Sequence, residues 1–179
     1  NANGTVAIGY SALMVMTSGT ANTAIGYEAG KTINTGNNNT ILGYEAGHAM
    51  TTSTNNVAVG YRAGSSMTDN FNNVMIGRRT LSSADSGEGN NVVIGDDAGR
   101  YINNNNADNN VSGQGGTGEL KQCVVIGSLA MDASGSNAQT GTVAIGYQSL
   151  SALTSGASNT AVGYQSMKQV TTGNSNIVV

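Results

Sequence analysis

The chain says the same short phrase again and again. A glycine closes a three-residue aliphatic run at positions 9, 26, 43, 60, 77, 95, 127, 146 and 163, at intervals of 17, 17, 17, 17, 18, 32, 19 and 17 residues. Asn22-Thr-Ala-Ile-Gly-Tyr-Glu-Ala-Gly30 shows the full phrase, and a tenth copy opens at Asn176-Ile-Val-Val179. A period this short admits few architectures: each unit is too small for a core of its own and must bury itself against its neighbours. Residues 1–179 therefore read as one elongated repeat array. The chain begins and stops inside a repeat, as an excised segment would.

Composition then decides between an ordered array and a low-complexity tail. Only 9% of the residues are charged and 4% aromatic, while Asn, Ser, Thr and Gly abound. That balance alone would suit disorder. The aliphatic triplets argue otherwise, because they supply one buried strand per repeat. Proline is absent, consistent with a backbone whose N–H groups are nearly all engaged in ladders. The net charge of −3 is too slight to suggest nucleic acid as a partner. No apolar run approaches the length of a membrane-spanning helix, so no membrane insertion is expected.

Alternation assigns the faces of each strand. One before the glycine stand Ile8, Ile25, Leu42, Val59, Ile76, Ile94, Ile126, Ile145 and Val162; three before it stand Val6, Thr23, Thr40, Val57, Val74, Val92, Val124, Val143 and Thr160. These mostly β-branched positions are expected to fill the coil interior. The residue between them points the other way and is never polar: Ala24, Ile41, Ala58, Met75, Val93 and Val125 in the central copies. A strand apolar on both faces must be covered on both. A single coil has only one interior, so this second face is expected to line the shared axis of a homo-oligomer, its small residues permitting close approach.

Beyond the glycine, Tyr follows in six copies, and an apolar residue recurs seven positions on (Met16, Ile33, Met50, Met67, Ala84, Ile102, Leu153, Val170). The spacing fits a short helical turn or a second, bent strand, and leaves the two open. Four before the glycine, Asn22, Asn39, Asn56, Asn73, Asn91, Asn159 and Asn176 recur. Stacked one coil apart, roughly 4.8 Å, their amides are placed to bond one another along the array. Two after the glycine, Glu45 would face Arg62 and Arg79 would face Asp97 as axial ion pairs. The 32-residue interval holds about one extra coil's worth of chain, read as an inserted loop over 104–120.

Catalytic chemistry is hard to find. Gly113-Gln-Gly-Gly-Thr-Gly118 has the spacing of a dinucleotide loop without the strand, helix and distal acid such a site needs. His48 is the only histidine, which disfavours a metal site or a Ser-His-Asp relay. Cys123 occupies an asparagine-ladder position and is expected to pack as a small hydrophobe. Asp96 and Asp97, as strand neighbours, would point apart and serve one bond poorly. The corner threonines Thr17, Thr51, Thr68, Thr154 and Thr171 form an interrupted row, a weak match to an ice-binding ladder. No cofactor, no metal and no catalytic residue are expected. A polysaccharide-acting solenoid enzyme is the alternative of another class, and the scattered acids disfavour it.

At Thr142-Val-Ala-Ile-Gly-Tyr147 and its sister copies the chain resembles the repeats in the heads of YadA-type trimeric autotransporter adhesins. The 17-residue variant with Asn-Thr-Ala-Ile-Gly-Tyr looks more like phage tail fibres. The resemblance implies a left-handed parallel β-roll, three chains around one axis, and no catalytic residue. Taken together, the expectation is a parallel β-solenoid of about ten coils, roughly 45–50 Å long, with a short helical turn per coil left open. Its expected role is structural and adhesive, in a virion tail fibre that attaches to a host glycan or protein. A bacterial surface adhesin head is the alternative.

Overall fold

The computed structural model describes residues 3–84, 86–101, 120–132 and 139–179. Among them the fold is all-β, with parallel strands stacked as a solenoid. Ten strands form one sheet: β1 (Val6–Ile8), β2 (Thr23–Ile25), β3 (Thr40–Leu42), β4 (Val57–Val59), β5 (Val74–Ile76), β6 (Val92–Ile94), β8 (Val124–Ile126), β10 (Val143–Ile145), β11 (Thr160–Val162) and β12 (Ile177–Val178). Each pairs with the equivalent strand one coil away, in register, so that Ala24 meets Ile41 and Ala58 meets Met75. A second, thinner ladder runs along another side. It joins Thr54, Phe71, Gly89 and Lys121 by single bridges and then β7 (Leu120–Lys121) to β9 (Gln139–Thr140).

The long interval leaves the main sheet unbroken, because Val92, Val93 and Ile94 pair directly with Val124, Val125 and Ile126. Of the expected loop over 104–120, residues 104–119 lie outside the described residues, as does the glycine-rich run 113–118. Leu120 is not loop but a fully buried strand residue.

The segment after each glycine is neither helix nor second strand. Backbone bonds close three successive turns in the second coil: Ala29 N–H to Gly26 O, Lys31 N–H to Glu28 O and Ile33 N–H to Gly30 O. Glu28 and Gly30 have φ of 52° and 56°, with Ala29 between them on the ordinary side. That alternation of sign cannot propagate a helix, which needs consecutive residues in one right-handed well. Among the described residues no helix is long and apolar enough to cross a membrane.

The repeat glycine carries the sharpest backbone demand. Its φ lies between 129° and 140° in all nine copies. In the first eight a Cβ would come within 2.2–2.6 Å of the next repeat glycine's carbonyl oxygen. Conformation and close approach each require glycine there.

The interior reverses the expected faces. Ala24, Ile41, Ala58, Met75, Val93, Val125, Ala144 and Ala161 are fully buried inside the coil, so the face expected to line an axis between subunits is the core itself. The expected core positions turn outward instead. The physical reason is the narrowness of the lumen. Further side chains turn inward in most described coils: the ladder Asn, the Ala, Ser or Thr three after the glycine, the residue four after it where that is Leu or Met rather than Gly, and the apolar residue at seven after it. Little volume remains for the strand's inward residue, so Ala dominates there. A large residue appears only where a glycine makes room: a Cβ on Gly64 would lie 2.9 Å from Met75 Sδ and 3.0 Å from Met67 Sδ.

The asparagine ladder forms as expected and is buried. Asn39 Nδ2 donates to Asn22 Oδ1 (2.9 Å) and to Ser53 O (2.7 Å), while its Oδ1 accepts from Asn56 N–H (3.0 Å) and Asn56 Nδ2 (3.1 Å). Each inner asparagine thus uses both amide hydrogens and both acceptor sites. Cys123 takes one rung. Its thiol donates to Gln139 O at 2.8 Å, as an asparagine amide does to the next coil, and burial pushes its pKa up to about 11. Packing as a small hydrophobe is only part of its role.

Two outcomes follow for stability. Asn39→Ala leaves Asn56 N–H and Ser53 O without their buried partner and is expected to cost about 2–6 kcal/mol, at about 1–3 kcal/mol per orphaned group. Asn55→Ala, on the exposed neighbouring column, is expected to cost about 1 kcal/mol; urea melts of both check the contrast. Gly43→Ala at φ 140°, with Gly60 O 2.4 Å from the added carbon, is expected to cost more than about 4 kcal/mol. Soluble, folded protein of wild-type stability would refute the close-approach argument.

Candidate interaction surface

Because the small residues go inside, the larger β-branched ones form the outer face of the ten-strand sheet. Val6, Ile8, Leu42 and Ile76 are 44%, 57%, 45% and 38% exposed. Ile25, Val57, Val59, Val74, Val92, Ile94, Val124, Ile126, Val143, Ile145 and Val162 are half-buried between them. The face is one strand wide and the length of the sheet, with Thr23, Thr40 and Thr160 among its outward residues. Contiguous exposed apolar surface on this scale marks an interaction site in soluble proteins.

A tyrosine ladder flanks it. Tyr10, Tyr27, Tyr44 and Tyr61 stack in a column with ring centroids 5.0–5.3 Å apart and planes within 11°. Tyr147 and Tyr164 repeat the stack at 5.4 Å. The coil repeat imposes the spacing, and all six rings are exposed.

Between these columns the tyrosine position is held by Arg78, Asp96 and Ser128, and the turns there carry a charge cluster. Arg62 Nε lies 2.8 Å from Glu45 and Arg79 Nε lies 2.9 Å from Asp97, the two axial pairs expected from the stack. The second is a close ion pair not aligned as a hydrogen bond, although Arg79 Nη2 does donate to Asp97 Oδ2 at 3.1 Å. Asp96 and Asp97 were expected to point apart, yet both grip Arg78, at 2.6 Å from its Nε and 3.0 Å from its Nη2 respectively. They sit in a turn, with Asp97 at φ 54°, where strand alternation does not apply. Arg78's hydrogen bond holds the Asp96 carboxyl below its ordinary value.

His48 is not a bare surface residue: its Nε2 lies 3.1 Å from Glu28. Glu28 also accepts from Lys31, and that hydrogen bond is the main reason its pKa falls. Three of the five corner threonines turn their hydroxyls to the next coil, Thr51 and Thr154 onto the carbonyls of Thr68 and Thr171 at 3.0 and 2.9 Å, and Thr17 onto Asn34, while Thr68 bonds its neighbour Asp69. A row so occupied is poorly free to order water. Among the described residues no cluster of three or more His, Cys, Asp or Glu is placed to hold a metal ion. No family model, curated protein or solved structure matches the chain.

One carboxyl in this strip is misplaced energetically. Asp132 is pushed up to about 6, first by burial and then by the charge of Asp97, with Arg100 and Arg79 opposing. Its Oδ1 is buried without a hydrogen-bond partner. Because the folded value lies above the ordinary 3.8, ionisation penalises the fold increasingly between about pH 4 and pH 6, and fully above it. Asp132→Asn is therefore expected to stabilise the protein at pH 7.5, by something of order 1 kcal/mol after allowance for solvent screening. Below pH 4 no gain is expected. Thermal melts at the two pH values check the sign.

Proposed function

We propose that this chain is a structural and adhesive segment of a fibre made of several copies of itself, on a virion or cell surface. The outer sheet face carries this reading. A row of Val, Ile and Leu across ten strands, broken by Thr only at 23, 40 and 160, is too long and too apolar to be left to water in a rod with so few charges. A second copy of the same face is its natural cover, since a repeating surface complements itself along its whole length. The expected interface moves from the face of Ala24, Ile41, Ala58, Met75, Val93 and Val125 to the opposite face. The count of three, the phage tail-fibre setting and the attachment role rest on the resemblance of the repeat. The reading assigns the chain no catalytic residue and no cofactor. A bacterial adhesin head is the second reading, favoured by the Val143-Ala-Ile-Gly146 form of the motif.

Native mass by light scattering tests it, beside a Leu42→Lys/Ile76→Lys variant altered only on the outer face. The expected result is three times the 18.0 kDa chain mass for the wild type. The variant is expected to fall to a single chain with its β circular dichroism retained. A wild type at one chain mass overturns the oligomer, and two chain masses overturn the trimer count.

A further inference from the structure

All four arginines of the chain lie on consecutive coils, in the turns after Gly60, Gly77 and Gly95. Three of them, Arg62, Arg79 and Arg100, line a single polar groove of about 230 Å³ crossing those coils. Ser65 and Ser66 floor it on one coil and Ser82 and Ser83 on the next, so no carboxylate lines it. The acids that neutralise the arginines lie to the side. Glu45 approaches Arg62 most closely at Nε, 2.8 Å away, and neither η-nitrogen is hydrogen-bonded to it. Asp97 is shared among Arg78, Arg79 and Arg100, the last at 3.7 Å. Arg100 is further held by the Tyr101 ring, 4.5 Å from its centroid. The cations are thus positioned, but their hydrogen-bonding capacity is not used up.

We propose that this groove binds an oxyanion group, carboxylate or sulfate, carried on a polysaccharide. Guanidinium edges recognise such anions with charge-assisted, often bidentate hydrogen bonds. The serine hydroxyls, each donor and acceptor, match the hydroxyls of a sugar chain laid across successive coils. Nucleic acid offers the same anions, but binding it as a single strand calls for free aromatic faces on which bases stack. Here the tyrosine faces within each column are spent on one another, leaving an open face only on the end rings, and Tyr101 lies beneath Arg100. The proposal supplies a ligand class for the attachment role above and rests on that role only for its biological meaning.

The test uses the full chain against immobilised dextran sulfate, polygalacturonate, neutral dextran and single-stranded polyadenylate. Wild type is compared with Arg62→Gln, in the groove, and Lys31→Gln, which removes the same charge outside it. Binding to at least one anionic polysaccharide and not to neutral dextran is expected, and which polymer binds identifies the anion. Arg62→Gln is expected to weaken it about tenfold, the worth of one charge-assisted contact, and Lys31→Gln by less than twofold. Equal losses in the two variants, tighter binding to polyadenylate, or no binding to either anionic polysaccharide would overturn the proposal. Native mass measured on the same samples keeps that failure separate from failure of the oligomer.

Discussion

The interaction on which the rest depends is the buried column of asparagine amides. A solenoid coil must turn its backbone inward at a corner, and a corner exposes N–H and C=O groups that the sheet cannot reach. The inner asparagines supply what is missing, each bonding the previous side chain, the next backbone N–H and a carbonyl on the next coil. Since the amides of Asn39, Asn56 and Asn73 are fully used, the column tolerates burial that would otherwise be costly. It also sets the register, because a coil shifted by one residue would break the column at every step. At the Cys123 rung the thiol donates forward in place of the amide, whereas the buried Thr142 hydroxyl on the next coil has no partner and breaks the column there.

That column and the repeat glycine bring successive coils into intimate contact, and the narrow lumen follows. With asparagine, alanine and one larger side chain per coil already inside, the strand can contribute little volume. Size therefore overrides hydrophobicity in deciding which face turns in. Where the strand does carry Ile41 or Met75, glycines at 30, 47 and 64 yield the space. The larger aliphatic residues are displaced outward, and the solenoid is left with a core it can fill and a face it cannot cover alone.

The surface inherits the same one-dimensional order. Any side chain placed once per coil becomes a column, whether of tyrosine rings, ion pairs or hydroxyls. Columns convert weak contacts into extended surfaces: an exposed ion pair contributes little by itself, but three arginines on consecutive turns make a groove. The charge cluster occurs where the tyrosine column is interrupted, so the rod carries two chemically different stretches on one unchanging backbone.

The sequence by itself determined the period, the strand in each coil, the asparagine column and the Glu45–Arg62 and Arg79–Asp97 pairs. All of these follow from spacing, since residues one period apart must meet. Spacing was silent on which way an all-apolar strand faces, because alternation divides its residues into two sets without labelling either as inside. The preponderance of alanine in one set was the available signal, and it meant a narrow lumen rather than a close subunit contact. Nor could spacing reveal the turns, where left-handed residues such as Glu28 and Asp97 reverse the rule that neighbours point apart. The convergence of Asp96 and Asp97 on Arg78, and the arginine groove beside it, depend on that backbone geometry. Only the tertiary structure decided them, because the direction of a side chain in a turn is set by φ and by neighbouring coils, not by its place in the repeat.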